Sequence, residues 1–325
     1  MNLGLNGVIG QSAVKNLLAG SIRSGRVSHA YIFEGDIGMG KKTLAYAFAR
    51  ELVCENKSSC GTCKHCLLSA AGNHPDIITV LPAEDKKSIS VDSVRELYSS
   101  VMVKPFSADK KVIIIPDCEK MTVQSQNALL KMLEEPPSYI VFVLLTSNSN
   151  FFLETVLSRS IKLSFSPYTD DEIREILKLA GFSKVPDAVI TCADGNGGKA
   201  LALMSNSDFM ELRKQLADKF QLFFNKKSDL FEIINFMENN KPLAKDMFDI
   251  LLGFARDLVF CHLSETENIY GEDFIPENYM SRTTLKGCMA FLNNIIDSKK
   301  MLLSNVNYSL LVNSFVLSSK EVLAW

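Results

Sequence analysis

The sequence has no apolar run of 18 or more residues, so no stretch is long enough to cross a bilayer as a helix. Its first residues, MNLGLNGVIGQ, lack a basic segment followed by an apolar one and do not read as a secretory leader. A cytoplasmic location with no membrane role is the expectation. Net charge is also scarce, at −2 over 325 residues, which argues against a protein that coats nucleic acid unaided. A slight cationic surplus before Ser166 gives way to an acidic surplus after it. That tilt permits weak phosphate contact by the first part, and it equally describes ordinary solvated surface. Internal repeats and low-complexity segments are missing as well.

What is present is the composition of a globular protein, 47% apolar and 22% charged, on a chain long enough for two or three domains. There are eight cysteines, and four of them crowd between positions 54 and 66. Cys118, Cys192, Cys261 and Cys288 stand apart in apolar surroundings and read as small buried residues. Without an export leader, the even count is no argument for disulfides.

Helical spacing of Val14, Leu17, Leu18 and Ile22 predicts a helix over 11–24. AYIFE (30–34), DIITVL (76–81), KVIIIP (111–116), YIVFVLLTS and SIKLSF read as strands, several of them aliphatic enough to be buried on both faces of a parallel sheet. Helical patterns lie between them, including 90–103 and TVQSQNALLKMLEEPP, which Pro136 and Pro137 stop. The alternation indicates a doubly wound α/β domain over 1–166. A helix at 169–181 and two more around DGNGG suggest a small helical domain over 167–206. Beyond it, 209–225, 229–238, 244–263, 284–303 and 307–321 are all helical, an all-α domain over 207–325.

GDIGMGKKT, following the first strand and opening a helix, nearly spells the phosphate-binding loop G-x-x-x-x-G-K-[ST]. Gly35, Gly38 and Gly40 give the tight path and Lys41 is in place. The next position requires a hydroxyl on Mg²⁺, and Lys42 stands there; Thr43 comes one residue late, a rotation of about 100° on a helix. The second strand of such a site ends in an Asp-Glu pair that serves the metal and the water. Here Pro116 stands first and Asp117 second. Asp117 and Glu119 are the candidates to compensate, though neither falls in the usual place. The two losses together predict a loop without hydrolysis. Nucleotide binding stays open, because Lys41 and the loop amides can still cradle phosphate.

Cys54, Cys60, Cys63 and Cys66 are spaced C-x5-C-x2-C-x2-C. Such gaps let four thiolates converge on one Zn²⁺ at about 2.3 Å, a closed and therefore structural site. A redox C-x-x-C pair is the rival, disfavoured because Cys60 and Cys63 are not expected to open a helix after a strand. His65 can substitute as a ligand, and His74 reads as a loop residue.

These pieces together resemble the bacterial clamp-loader AAA+ subunits. The resemblance rests on VIGQ, LLAGSIRSGRVSHAYIFEGDIGMGKK, the four-cysteine insertion, NALLKMLEEPP followed by LSRS, and DGNGGKAL, and it covers about the first 205 residues. In that family the gamma and tau motors keep the loop threonine, the Asp-Glu pair and a sensor arginine, and the delta-prime type tends to lose them. This chain has Lys42, Pro116-Asp117 and Gly198 at those places and is similar to the delta-prime type of the DNA polymerase III holoenzyme.

The resemblance implies an AAA+ domain with a zinc module at 54–66, a helical lid and a C-terminal collar. It implies one place in a hetero-pentameric ring with gamma/tau and delta subunits, acting on the sliding clamp and primed DNA. Arg159, in LSRS, is the implied arginine finger for a neighbour's ATP site; by itself it reads equally as a loop arginine in a salt bridge. Thr122 and Ser125, at a helix start, are the implied DNA contacts. Two rival readings remain: an active ATPase of the gamma/tau type using Thr43 and Asp117, and a zinc-dependent DNA-binding module.

Overall fold

The structure is a computed structural model and describes residues 4–81, 88–205, 207–221, 230–263, 283–302, 304 and 306–323. In chain order its elements begin with α1 (Ser12–Ser24), β1 (Ala30–Glu34), α2 (Lys41–Val53), α3 (Lys64–Ala70) and β2 (Ile77–Thr79). They continue with α4 (Val91–Met102), β3 (Lys111–Ile115), α5 (Val123–Glu134), β4 (Ile140–Thr146), α6 (Glu154–Leu157) and β5 (Ile161–Ser164). Helices follow: α7 (Asp170–Leu179), α8 (Asp187–Ala193), α9 (Gly197–Ser205), α10 (Ser207–Gln221) and α11 (Leu230–Asn239). The last three are α12 (Ala244–His262), α13 (Leu285–Leu302) and α14 (Tyr308–Leu323).

The five strands form one parallel sheet in the order β2-β3-β4-β1-β5. The central strands β3, β4 and β1 are apolar except at Lys111, Thr146 and Glu34 at their ends, because both faces are covered. Side chains alternate between those faces. Ala30, Ile32, Ile113, Ile115, Phe142 and Leu144 pack on one side with Val94, Leu97 and Val101 of α4 and Leu129, Met132 and Leu133 of α5. On the other side the Tyr31 ring meets Phe48 of α2 edge to face at 5.4 Å. This is the doubly wound parallel α/β fold expected. β1 lies between β4 and β5, so the loop leaving its carboxyl end sits at the sheet's topological switch point, where such folds bind ligands.

Contacts divide the chain into two compact units, Met1–Ile176 with Asn196–Gly198, and Leu177–Gly195 with Lys199–Trp325. In the second, the described elements are helical. Phe248, Phe254, Phe291 and Phe315 are buried among them, with Phe248 and Phe315 edge to face at 5.1 Å. Asp249 of α12, nearly buried, is neutralised by two lysines, Lys199 of α9 at 2.6 Å and Lys299 of α13.

The observed elements follow the expected ones closely, with β2 shorter than 76–81 because only Ile77–Thr79 pairs with β3. The ends of the helices expected at 209–225 and 284–303, and the start of the one at 229–238, lie outside the described residues. Two short helices, α3 and α6, were not expected. Among the described residues no helix is long and apolar enough to cross a membrane.

Candidate functional site: phosphate loop and four-cysteine cluster

The loop from β1 to α2 turns tightly because two of its glycines take positive φ, 98° at Gly38 and 78° at Gly40. Lys41 opens α2 and folds back over the loop. Its ammonium donates to the carbonyls of Gly35 and Asp36, the latter at 2.8 Å. Burial lowers the Lys41 pKa, and the charges of Glu119, Asp36 and Asp117 oppose that shift. Lys42 and Thr43 both point into solvent, on the outer side of the first turn of α2.

The acids after β3 diverge. Pro116 is buried, and Asp117 takes a left-handed conformation (φ 52°) that turns its side chain outward, 3.0 Å from Lys120. Glu119 is instead the acid that turns inward. Its Oε1 accepts from the Ser147 hydroxyl at 2.9 Å, its Oε2 is buried without a partner, and its charge acts on Lys41. Glu34, the last residue of β1, gathers the ends of three strands. It accepts from the Ser149 amide at 2.7 Å and pairs with Lys162 at 3.0 Å. Ser149's hydrogen bonding, then Lys162, outweigh burial and hold its pKa at about 2.

Arg159 lies just beyond α6. One nitrogen donates to the Thr155 carbonyl at 3.0 Å and another pairs with Glu134, the last residue of α5, at 3.2 Å. About a third of the side chain is exposed (36%), enough for a second molecule to reach the guanidinium. The salt bridge foreseen for a loop arginine is therefore present, and it joins the two most diagnostic motifs, NALLKMLEEPP and LSRS.

Cys54 closes α2, Cys63 caps α3, and Cys66 lies in the first turn of α3. Cys63 caps a helix, but one that follows a loop, so the pair does not open a helix after a strand, as expected. The four sulfurs lie within 4.8 Å of one another. Three of the separations are 3.7 Å (Cys54–Cys60), 4.0 Å (Cys60–Cys66) and 3.9 Å (Cys54–Cys63). A disulfide needs about 2.05 Å. Ligands about 2.3 Å from a tetrahedral centre stand about 3.8 Å apart. The cluster is thus shaped to hold one metal ion. Backbone N–H groups of Thr62 and Cys63 lead in pulling Cys60 down to about 5, which favours the thiolate, whereas burial pushes Cys66 up to about 12.

Two family profiles match this chain. One, described as DNA polymerase III, delta subunit, covers residues 10–169, and one for the C terminal of that subunit covers 207–320. The chain belongs to the delta-prime family of DNA polymerase III clamp-loader subunits.

DNA polymerase III subunit delta' of Bacillus subtilis is 28% identical over 96% of each chain. The Pseudomonas aeruginosa delta' subunit is 39% identical over 42% of each. The Haemophilus influenzae tau/gamma subunit is 35% identical over 52% of this chain and 25% of that one. This tau/gamma relative thus matches over about half of this chain, and the delta' relative from Bacillus over nearly all of it.

Within this delta-prime chain the implied DNA contacts need correction. Thr122 caps α5, accepting from the Ser125 amide at 3.1 Å, and the fully buried Ser125 donates its hydroxyl to the Ile89 carbonyl at 2.7 Å. Both hydroxyls serve the fold. Two exposed cations, Arg95 and Lys131, line the groove between α4 and α5.

Cys66, and not its neighbour His65, joins the sulfur cluster, and His74 lies in a loop as expected. His65 faces away from the cysteines, its Nδ1 2.8 Å from His74 Nε2, and both rings are buried. His74 Nδ1 accepts from the Asp76 amide at 3.0 Å, so in the neutral ring Nε2 carries the proton and donates to His65. Asp76, wholly buried, accepts from the amides of Phe106, Ser107 and Ala108 at 2.6, 3.0 and 3.1 Å.

Sequence reasoning missed Tyr168 and Asn196. The Tyr168 hydroxyl donates to the Met39 carbonyl at 3.0 Å, and the Asn196 amide to the Ile37 carbonyl at 2.7 Å. The only clue was an aromatic and an amide flanking two recognised motifs.

Proposed function

We propose that this subunit does not hydrolyse ATP and instead completes the ATP site of a neighbour in the loader ring with Arg159. One observation carries the first half: neither position that would hold magnesium offers a ligand. Lys42 points into solvent where a hydroxyl is needed, and the strand end carries buried Pro116 with Asp117 turned out to Lys120. Thr43, the nearest hydroxyl, is exposed.

The second half rests on chemistry. A guanidinium supplied in trans neutralises charge developing on the transferred phosphoryl, an effect worth about 10³- to 10⁵-fold in known GTPases. One terminal guanidinium nitrogen of Arg159 is held by the Thr155 carbonyl, the other pairs with Glu134, and the side chain is partly exposed. Exchange of Glu134 for a neighbour's phosphate would keep the guanidinium paired throughout. Gamma/tau motors and a delta subunit are the ring partners on this reading, and the sliding clamp and primed DNA are what the ring acts on.

The metal at Cys54, Cys60, Cys63 and Cys66 is zinc on this reading. Four sulfurs at tetrahedral spacing suit it and leave no open position. It would tie the end of α2 to the start of α3 across a loop with little core of its own. ATP turnover by the purified chain, with clamp and primed DNA, tests the proposal. No hydrolysis above background is expected; DNA-stimulated hydrolysis that disappears in Lys41→Ala would restore the motor reading.

A further inference from the structure

The phosphate loop has a donor for each of five consecutive carbonyls, and all of the donors come from the chain itself. Lys41 Nζ bonds the Gly35 and Asp36 oxygens. Asn196 Nδ2 bonds Ile37 at 2.7 Å, the Gly198 amide bonds Gly38 at 2.9 Å, and the Tyr168 hydroxyl bonds Met39 at 3.0 Å. Gly35, Gly38 and Met39 are buried or half-buried and their carbonyls need partners, whereas phosphate would be held by the loop amides.

The packing is as specific as the bonding. Gly38 and Gly198 meet backbone to backbone, and a Cβ on Gly198 would lie 2.5 Å from the Gly38 Cα. A Cβ on Gly38 would run into the Asn196 amide, and one on Gly40 into the Tyr168 hydroxyl. The same tyrosine ring stands 2.6 Å from where a Cβ on Gly10 would be and 3.3 Å from one on Gly197. Glycines from three separate segments therefore close on one buried phenol.

We infer that the phosphate loop of this chain is a ligand-independent latch, in which Tyr168 and Asn196 bolt the turn Asn196–Gly198 to residues 35–40. The inference rests on the non-hydrolysing reading and deepens it by saying what the loop does in place of holding phosphate. The turn is fastened by the protein's own donors. Its geometry is then the same whatever the nucleotide concentration, which suits a fixed member of an assembly whose other members respond to ATP.

The test is amide exchange of the full-length chain, followed by NMR at Gly198, whose N–H makes the bond to Gly38. The Gly198 amide should be protected without any ligand and unchanged by millimolar Mg·ATP or Mg·ADP. Tyr168→Phe, which keeps the ring and removes only the hydroxyl, and Asn196→Ala should each speed its exchange about fivefold, the loss of one ordinary hydrogen bond. Slower exchange on adding nucleotide, or a Gly198 amide indifferent to either variant, overturns the latch. The nucleotide arm uses the unaltered chain, so it stands even if Asn196→Ala fails to fold. Failure here would leave the turnover result untouched, since an inactive chain can still have a loop that binds nucleotide.

Discussion

The amide of Gly198 donates to the carbonyl of Gly38 at 2.9 Å, across a contact so close that neither residue has room for a side chain. In the motor subunits an arginine is expected where Gly198 stands. The contact explains why the arginine cannot simply be put back: its Cβ would lie 2.5 Å from the Gly38 backbone.

Gly198→Ala is accordingly expected to destabilise the chain by about 1–3 kcal/mol through overpacking. It should do so although alanine is the better helix former by about 1 kcal/mol at a position inside α9. Urea unfolding measures the difference. A more stable Gly198→Ala protein would show that the backbone contact is not tight.

The strands and most helices were legible because each has a local cause. KVIII and IVFVLLT are continuous aliphatic runs, which only a sheet covered on both faces accommodates. Pro136 and Pro137 stop α5 wherever the helix goes. Cysteine spacing likewise located the metal cluster. What was illegible depends on long-range contact. Tyr168 reaches Met39 across 129 residues and Asn196 reaches Ile37 across 159, and neither carries a mark of it in the sequence. The inward turn of Glu119 depends on the left-handed backbone at Asp117, a conformation no residue pattern announced. Helix α3 escaped notice because its seven residues, KHCLLSA, were read for their cysteine.

Metal removal should act locally. The purified chain is expected to carry about one zinc, lost on chelation or in Cys66→Ser, with new protease cleavage between positions 54 and 66. Metal analysis with thiol titration checks this. A metal-free chain with four titratable thiols there would contradict the zinc reading.

Glu34 makes a prediction about acid. Its pKa is 4.5 ordinarily and about 2 in the folded chain, so its ionised form is favoured by folding. The stability it contributes is fully present above pH 4.5 and is lost as pH falls toward 2. Glu34→Gln should therefore flatten the fall in stability within that window relative to the unaltered protein. Parallel curves for the two proteins through that range would show that the Ser149 and Lys162 contacts do not hold the carboxylate.

Asp76 should be among the costlier single sites. Its buried carboxylate accepts three amides of the loop 106–108. Asp76→Ala leaves those donors without their acceptor and is expected to cost about 3 kcal/mol or more. Thermal unfolding, with amide exchange at residues 106–108, checks both the size and the place of the effect.

The central claim is that this subunit gives its arginine to another's ATP site. The most direct measurement is the ATPase rate of a fully reconstituted loader carrying Arg159→Ala, with assembly verified by mass, beside a loader carrying Glu134→Ala. The proposed function predicts a large loss of DNA-stimulated turnover with Arg159→Ala and near-normal turnover with Glu134→Ala. Unchanged turnover in an intact Arg159→Ala loader would contradict it.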